Sequence, residues 1–121
     1  MPPEELPLTG FLGPGAAFEG DLTFEGRLRL DGSFRGRIYS EGILEVGASG
    51  RLEGEADVAR ARIAGTVEGR LRVREVLTVE ETAVLRGEVE VAHIRVARGA
   101  SLEAHVKRMA EPYRTRGKRA P

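Results

Sequence analysis

Val67-Glu68-Gly69-Arg70-Leu71 reads apolar, charged, glycine, charged, apolar. The same pattern recurs as Phe18-Glu19-Gly20-Asp21-Leu22, Phe34-Arg35-Gly36-Arg37-Ile38, Leu52-Glu53-Gly54-Glu55-Ala56 and Leu85-Arg86-Gly87-Glu88-Val89. A sixth copy, Leu102-Glu103-Ala104-His105-Val106, carries alanine at its centre. Counting Ala104 as the last centre, the spacings are 16, 18, 15, 18 and 17 residues. A near-fixed period on this scale signals stacked units, none of which buries its apolar face alone.

Alternation puts the first, third and fifth positions of each copy on one face of a strand and the two charges on the other. The apolar face is the inner one, so the glycine occupies an inward slot, where it permits a positive-φ corner or leaves room in a narrow interior. About 17 residues is too short for a strand-helix unit and too long for one strand, but it suits three short strands per coil. About six coils at roughly 4.8 Å each make a prism about 30 Å long. The expected fold is therefore all-β, a parallel β-helical solenoid over residues 16–106, with flexible tails at 1–15 and 107–121.

The charges test this register. Stacking the copies lines up the fourth positions as Asp21, Arg37, Glu55, Arg70, Glu88 and His105, which alternate in sign up to the histidine. The second positions run Glu19, Arg35, Glu53, Glu68, Arg86 and Glu103, with one like-charged step between Glu53 and Glu68. Opposite charges on neighbouring strands contribute roughly 0.2–1 kcal/mol, so such ladders set register more than stability. Mixed sign also argues against a substrate surface, which favours one sign.

The 121 residues suffice for one domain with a modest core. Nineteen basic and nineteen acidic residues cancel, so nothing draws the whole chain to nucleic acid. Their distribution is uneven: residues 1–14 carry −2, residues 107–121 carry +5 and the middle carries −3. With no cysteine there is no disulfide frame and no thiolate chemistry. No cleavable signal peptide or long apolar span is recognisable, which makes the cytoplasm the expected location.

The segment 1–15 holds four of the six prolines and reads as an irregular tail. Its apolar residues Leu6, Leu8, Phe11 and Leu12 suit either a disordered leader that sometimes folds over the first coil or a peptide whose Phe11 and Leu12 insert at a membrane interface. The first coil contains an extra copy of the pattern, Phe24-Glu25-Gly26-Arg27-Leu28, and turn signals recur at Asp31-Gly32, Glu41-Gly42 and 47–50. Val76, Leu77 and Val79 mark the expected stable centre. No 3.6-residue stripe survives the glycines, although Ala104–Ala110 could add a helical turn before Pro112. The basic segment 107–121 suits a solvated tail, or contact with phosphate, anionic lipid or the acidic tail of a neighbour.

Catalytic patterns are weak. His93 and His105 lack metal-ligand spacing, and the serines lack a base at recognisable spacing. Phosphate-loop and dinucleotide motifs are absent, and the carboxylates face arginines in the ladders, so neither an enzyme nor a cofactor is indicated. The ends of the stack remain. A coil stack exposes unpaired backbone groups at both ends, and with no predicted capping helix these ends invite another copy. The residues placed there are Phe18, Leu22 and Phe24 at one end and Leu102, His105 and Val106 at the other.

The glycine-centred repeats over 16–106, above all Phe18-Glu19-Gly20-Asp21-Leu22 and Gly32-Ser33-Phe34-Arg35-Gly36, resemble those of the bactofilin family of bacterial cytoskeletal proteins. That resemblance implies a right-handed triangular β-helix forming a homopolymer, end to end and without nucleotide, in filaments lacking overall polarity. It also implies scaffolding at the inner face of the cytoplasmic membrane, with wall-modifying or cell-polarity proteins as partners and no nucleic acid. In such proteins a short N-terminal peptide contacts membrane lipid; here that role falls on Leu8, Phe11 and Leu12. The rival reading is a β-helical adaptor that binds a partner along its flank without polymerising. A left-handed acyltransferase helix is disfavoured because spacings of 15 to 18 spoil its six-residue period.

Overall fold

The structure is a computed structural model that describes residues 8–109. Among these there are nine strands and no helix: β1 (Leu8–Leu12), β2 (Ala17–Phe24), β3 (Arg27–Leu30), β4 (Ser33–Ser40), β5 (Ile43–Val46), β6 (Arg51–Ile63), β7 (Thr66–Val79), β8 (Val84–Val96) and β9 (Ser101–Arg108). Every pairing is parallel, and the strands wind into a β-solenoid of about six turns. Each turn has three sides. The first leads into the corner glycine, the second leaves it, and the third runs through β1, β3, β5 and the second halves of β6, β7 and β8. The three strands expected per coil merge in the inner turns, where β6, β7 and β8 run for 13, 14 and 13 residues. The corner bends the chain without breaking the ladder of hydrogen bonds.

Gly20, Gly36, Gly54, Gly69, Gly87 and Ala104 stack in one column, as the repeat requires. The reason lies at Gly54. Its φ is +124°, and a Cβ there would sit 2.0 Å from the carbonyl oxygen of Gly36 in the turn beneath. Gly36, Gly69 and Gly87 are under the same constraint, with approaches of 1.9 to 2.1 Å. A side chain at these corners meets backbone, which cannot swing aside. Among the described residues no non-glycine residue has positive φ, so Ala104 ends the column in another conformation.

The extra glycine word of the first coil is a second corner. Gly26 (φ +89°) separates β2 from β3, and Gly42 stacks above it. Buried Ser40 secures this corner by donating to the Phe24 carbonyl at 2.7 Å while accepting from the Gly42 amide at 2.8 Å. Later coils turn here through shifts of register at Val58/Arg60 and Val73/Val76 instead.

Inward residues form continuous columns. Phe34, Leu52, Val67 and Leu85 stack on the first side, Ile38, Ala56, Leu71 and Val89 on the second, and Leu30, Val46, Ile63 and Val79 on the third. Leu44 and Leu77 are fully buried. In the coil expected to be the stable centre, Leu77 and Val79 are core and Val76 faces outward.

Both tail boundaries move. Residues 8–12, expected to be irregular, are strand β1, which pairs with β3 and packs Leu12 against the core. Alternation in Leu8–Leu12 is too short to stand out beside the prolines. At the other end β9 runs to Arg108 in place of the helical turn expected from Ala104, and the Met109 amide donates to the Val91 carbonyl at 2.8 Å while its side chain is buried. The remaining tail expectations lie outside the described residues.

Gly54→Ala should cost several kcal/mol, comparable to the roughly 2–5 kcal/mol expected for Leu77→Ala, because strain at positive φ adds to the overlap. Chemical denaturation followed by circular dichroism checks this; a change below about 0.5 kcal/mol would mean that the corner carbonyl yields.

Candidate polymer interface

Among the described residues two edges remain open. At the N-terminal end, β2 has a partner on one side only, β4, and β1 covers just the third side. Phe18 is 41% exposed because no turn lies beneath it; its ring stacks on Phe34 at 5.2 Å between centroids and 11° between planes. Leu22 is half-buried and packs on the core. Phe24 is buried at the second corner and offers little surface to a partner. Phe11 points away from the core and is 58% exposed, the largest value among the exposed large hydrophobic residues. The side chain of Leu8 lies outside the described residues.

At the C-terminal end, β9 is the open edge. Leu102 is half-buried against the core, His105 is exposed, and Val106, an inward residue with no turn above it, is 41% exposed. On the third side Val96 closes its column at 47% exposure. Sequence reasoning did not single out Val96; its signal was the in-phase alternation His93-Ile94-Arg95-Val96 in the last third side among the described residues.

The charge ladders have the predicted register, residue for residue. On the first side Arg35 meets Glu53 at 3.3 Å, and Arg86 bridges Glu68 and Glu103, each at 3.0 Å. The like-charged step between Glu53 and Glu68 is bridged by Arg51, which donates to Glu53 at 2.6 Å and to Glu68 at 3.1 Å. Arg51 lies outside the five-residue pattern, which is why the ladder alone did not reveal it. Its hydrogen bond is the main reason that the Glu53 carboxyl is held below the ordinary carboxylate range.

A second brace stands at the other corner. Arg74 lies over the Tyr39 ring at 5.3 Å, pairs with Glu41 at 3.3 Å and donates to the Ser40 carbonyl two turns below. It also approaches Asp57 at 3.2 Å, out of hydrogen-bond alignment. The Tyr39 hydroxyl, first, and Arg74, second, hold the Glu41 carboxyl low. These contacts clamp successive turns; among the described residues no cluster of His, Asp and Glu could hold a metal.

A stack of parallel turns with apolar residues at both open edges matches the model of one family, described as "Bactofilin: Polymer-forming cytoskeletal", over residues 10–107. The chain belongs to the bactofilin family. No curated protein and no solved structure gives a significant match to it. The bactofilin match begins inside β1 and ends inside β9, so most of each corrected strand falls within the family domain.

Arg51→Ala should lower the denaturation midpoint at neutral pH and low salt, because it leaves Glu53 and Glu68 facing each other. A carboxyl whose folded pKa is depressed contributes stability above its unfolded pKa and loses it as pH falls through the folded value. The variant and the parent should therefore converge in acid and at high salt. A constant offset at all pH values would assign the loss to packing.

Proposed function

We propose that this bactofilin-family chain is a cytoskeletal scaffold that polymerises end to end, without nucleotide, into filaments lacking overall polarity, attached to the inner face of the cytoplasmic membrane. One observation carries the end-to-end part. Of the five large hydrophobic residues that stand exposed among the described residues, three are inward residues of terminal turns: Phe18 at one end, Val96 and Val106 at the other. Phe11 and Tyr39 face outward, and Arg74 covers the Tyr39 ring. A partner bound along the side would want the opposite distribution, which disfavours the adaptor reading.

Open parallel edges also supply backbone donors and acceptors for the next copy, so no nucleotide is required to drive assembly. A two-fold meeting of two β9 edges about Ala104 supports the lack of polarity. It sets Leu102 against Val106 of the second copy and Glu103 beside His105. The structural, non-catalytic role accords with the family's description. Membrane contact falls on Phe11, presented by a strand and not by a loose tail, while Leu12 is committed to the core. One phenyl ring binds a bilayer weakly, and a filament multiplies it. In a cell the attached filament would recruit wall-modifying or cell-polarity proteins.

Purified full-length protein should form filaments with no nucleotide or metal added, and Val106→Arg should abolish them while leaving a folded monomer, because a charge buried at the junction costs several kcal/mol. Filaments that persist in the variant would remove β9 from the contact. Phe11→Glu should abolish co-sedimentation with liposomes and leave polymerisation intact; unchanged lipid binding would place membrane contact elsewhere.

A further inference from the structure

The outward residues of the second side are arranged in a way that stacking alone does not require. Their two columns are Asp21, Arg37, Glu55, Arg70, Glu88, His105 and Thr23, Tyr39, Asp57, Arg72, Glu90, Lys107. Read turn by turn, every layer carries a single sign, and the sign reverses at each step: acidic at Asp21, basic at Arg37, acidic at Glu55 and Asp57, basic at Arg70 and Arg72, acidic at Glu88 and Glu90, basic at Lys107. The first side lacks this order, since Arg51 and Glu53 share a layer and both terminal layers are acidic through Glu19 and Glu103.

We infer that the second side is a lateral docking face for a second copy of this chain running antiparallel, so that filaments pair side by side; the inference rests on the end-to-end reading above. An even number of alternating layers is self-complementary under a two-fold axis along the strand direction, and self-repelling when two stacks lie parallel and level. Under that axis the first layer faces the sixth, the second the fifth and the third the fourth. Glu55 meets Arg70 of the second copy, Asp57 meets Arg72 and Arg37 meets Glu88. Asp21 meets His105 and the Thr23 hydroxyl reaches Lys107, while Tyr39 keeps its hydroxyl proton on Glu41 and adds no bond to Glu90. Each contact occurs twice.

Two of the ion pairs on this side are also loosely held. Arg51 and Arg86 on the first side form hydrogen bonds of 2.6 to 3.1 Å with their carboxylates. On the second side Arg70–Glu88 and Arg72–Glu90 stand at 3.5 and 3.9 Å, with all four side chains at least 40% exposed. A guanidinium held so loosely keeps donors for a partner. Grooves of about 440 Å³ and 810 Å³ lie among these layers, the first beside Tyr39 and the second beside His105.

Six layers high and about three residues wide, the face offers on the order of 300 Å² per copy, well below the roughly 800 Å² per partner of a stable dimer. It therefore acts between filaments, where many copies engage at once, and not between monomers. Salt should weaken it, because its contacts are exposed charge pairs.

The test separates single filaments, which need a high-speed spin to sediment, from laterally paired bundles, which sediment at low speed. At low salt the parent protein should appear in the low-speed pellet, and at high salt only in the high-speed pellet. Arg70→Glu, which sets like charges across the pair, should reduce the low-speed pellet by about tenfold or more at low salt while the high-speed pellet is kept. The exchange Glu55→Arg with Arg70→Glu restores opposite charges across the antiparallel pair and should restore bundling. Filaments that never bundle at low salt, or bundling that ignores Arg70→Glu or is not rescued by the exchange, would overturn the lateral inference. No sedimenting polymer at all would instead overturn end-to-end assembly.

Discussion

The fold depends on a backbone contact at one corner. A carbonyl oxygen of each turn occupies the space that a Cβ would need in the turn above, about 2 Å from it at Gly36, Gly54, Gly69 and Gly87. Glycine is thus imposed at that position in those four turns, and the corner in turn fixes which residues face in and which face out. Everything else follows from that register: the leucine and valine columns of the core, the charge ladders outside, and the arginines that brace them. Where the column reaches Ala104 it stops, and so does the solenoid.

A stack built this way satisfies its backbone only internally. Each middle turn has a neighbour above and below, whereas β2 and β9 have one apiece. The same geometry that makes the middle stable leaves two open ends whose inward residues, Phe18 and Val106, have no partner turn. In most solenoid proteins terminal units are modified to hide such edges. Among the described residues no capping element covers either edge here, which is the physical ground for reading this bactofilin-family chain as a unit of a polymer.

Much of this was legible in the sequence, because a solenoid repeats its instructions. Six copies of one pattern locate the inward positions and pair Asp21 with Arg37 or Glu88 with His105 without any tertiary knowledge. The repeat is silent where the chain departs from it. Strand β1 belongs to no copy of the pattern, so its prolines and glycines pointed to a loose tail; only packing against β3 reveals Leu12 as core and Phe11 as surface. Arg51 and Arg74 act across turns from positions off the pattern, and their partners are set by side-chain reach. Among the described residues Val96 is the last of its column, because the third side of the following turn would begin after Met109. The alternating layers of the second side are half visible: one column reads as a ladder that sets register, and the second column, needed to see whole layers of one sign, belongs to no copy of the pattern.

End-to-end stacking is tested most directly by the direction of the strand spacing in oriented filaments. If turns of successive copies continue one stack, fibre diffraction should place the reflection near 4.8 Å on the meridian, along the filament axis, with protomers repeating about every 30 Å. A reflection near 4.8 Å on the equator would mean that the solenoids lie across the filament and meet by their flanks, contrary to this account.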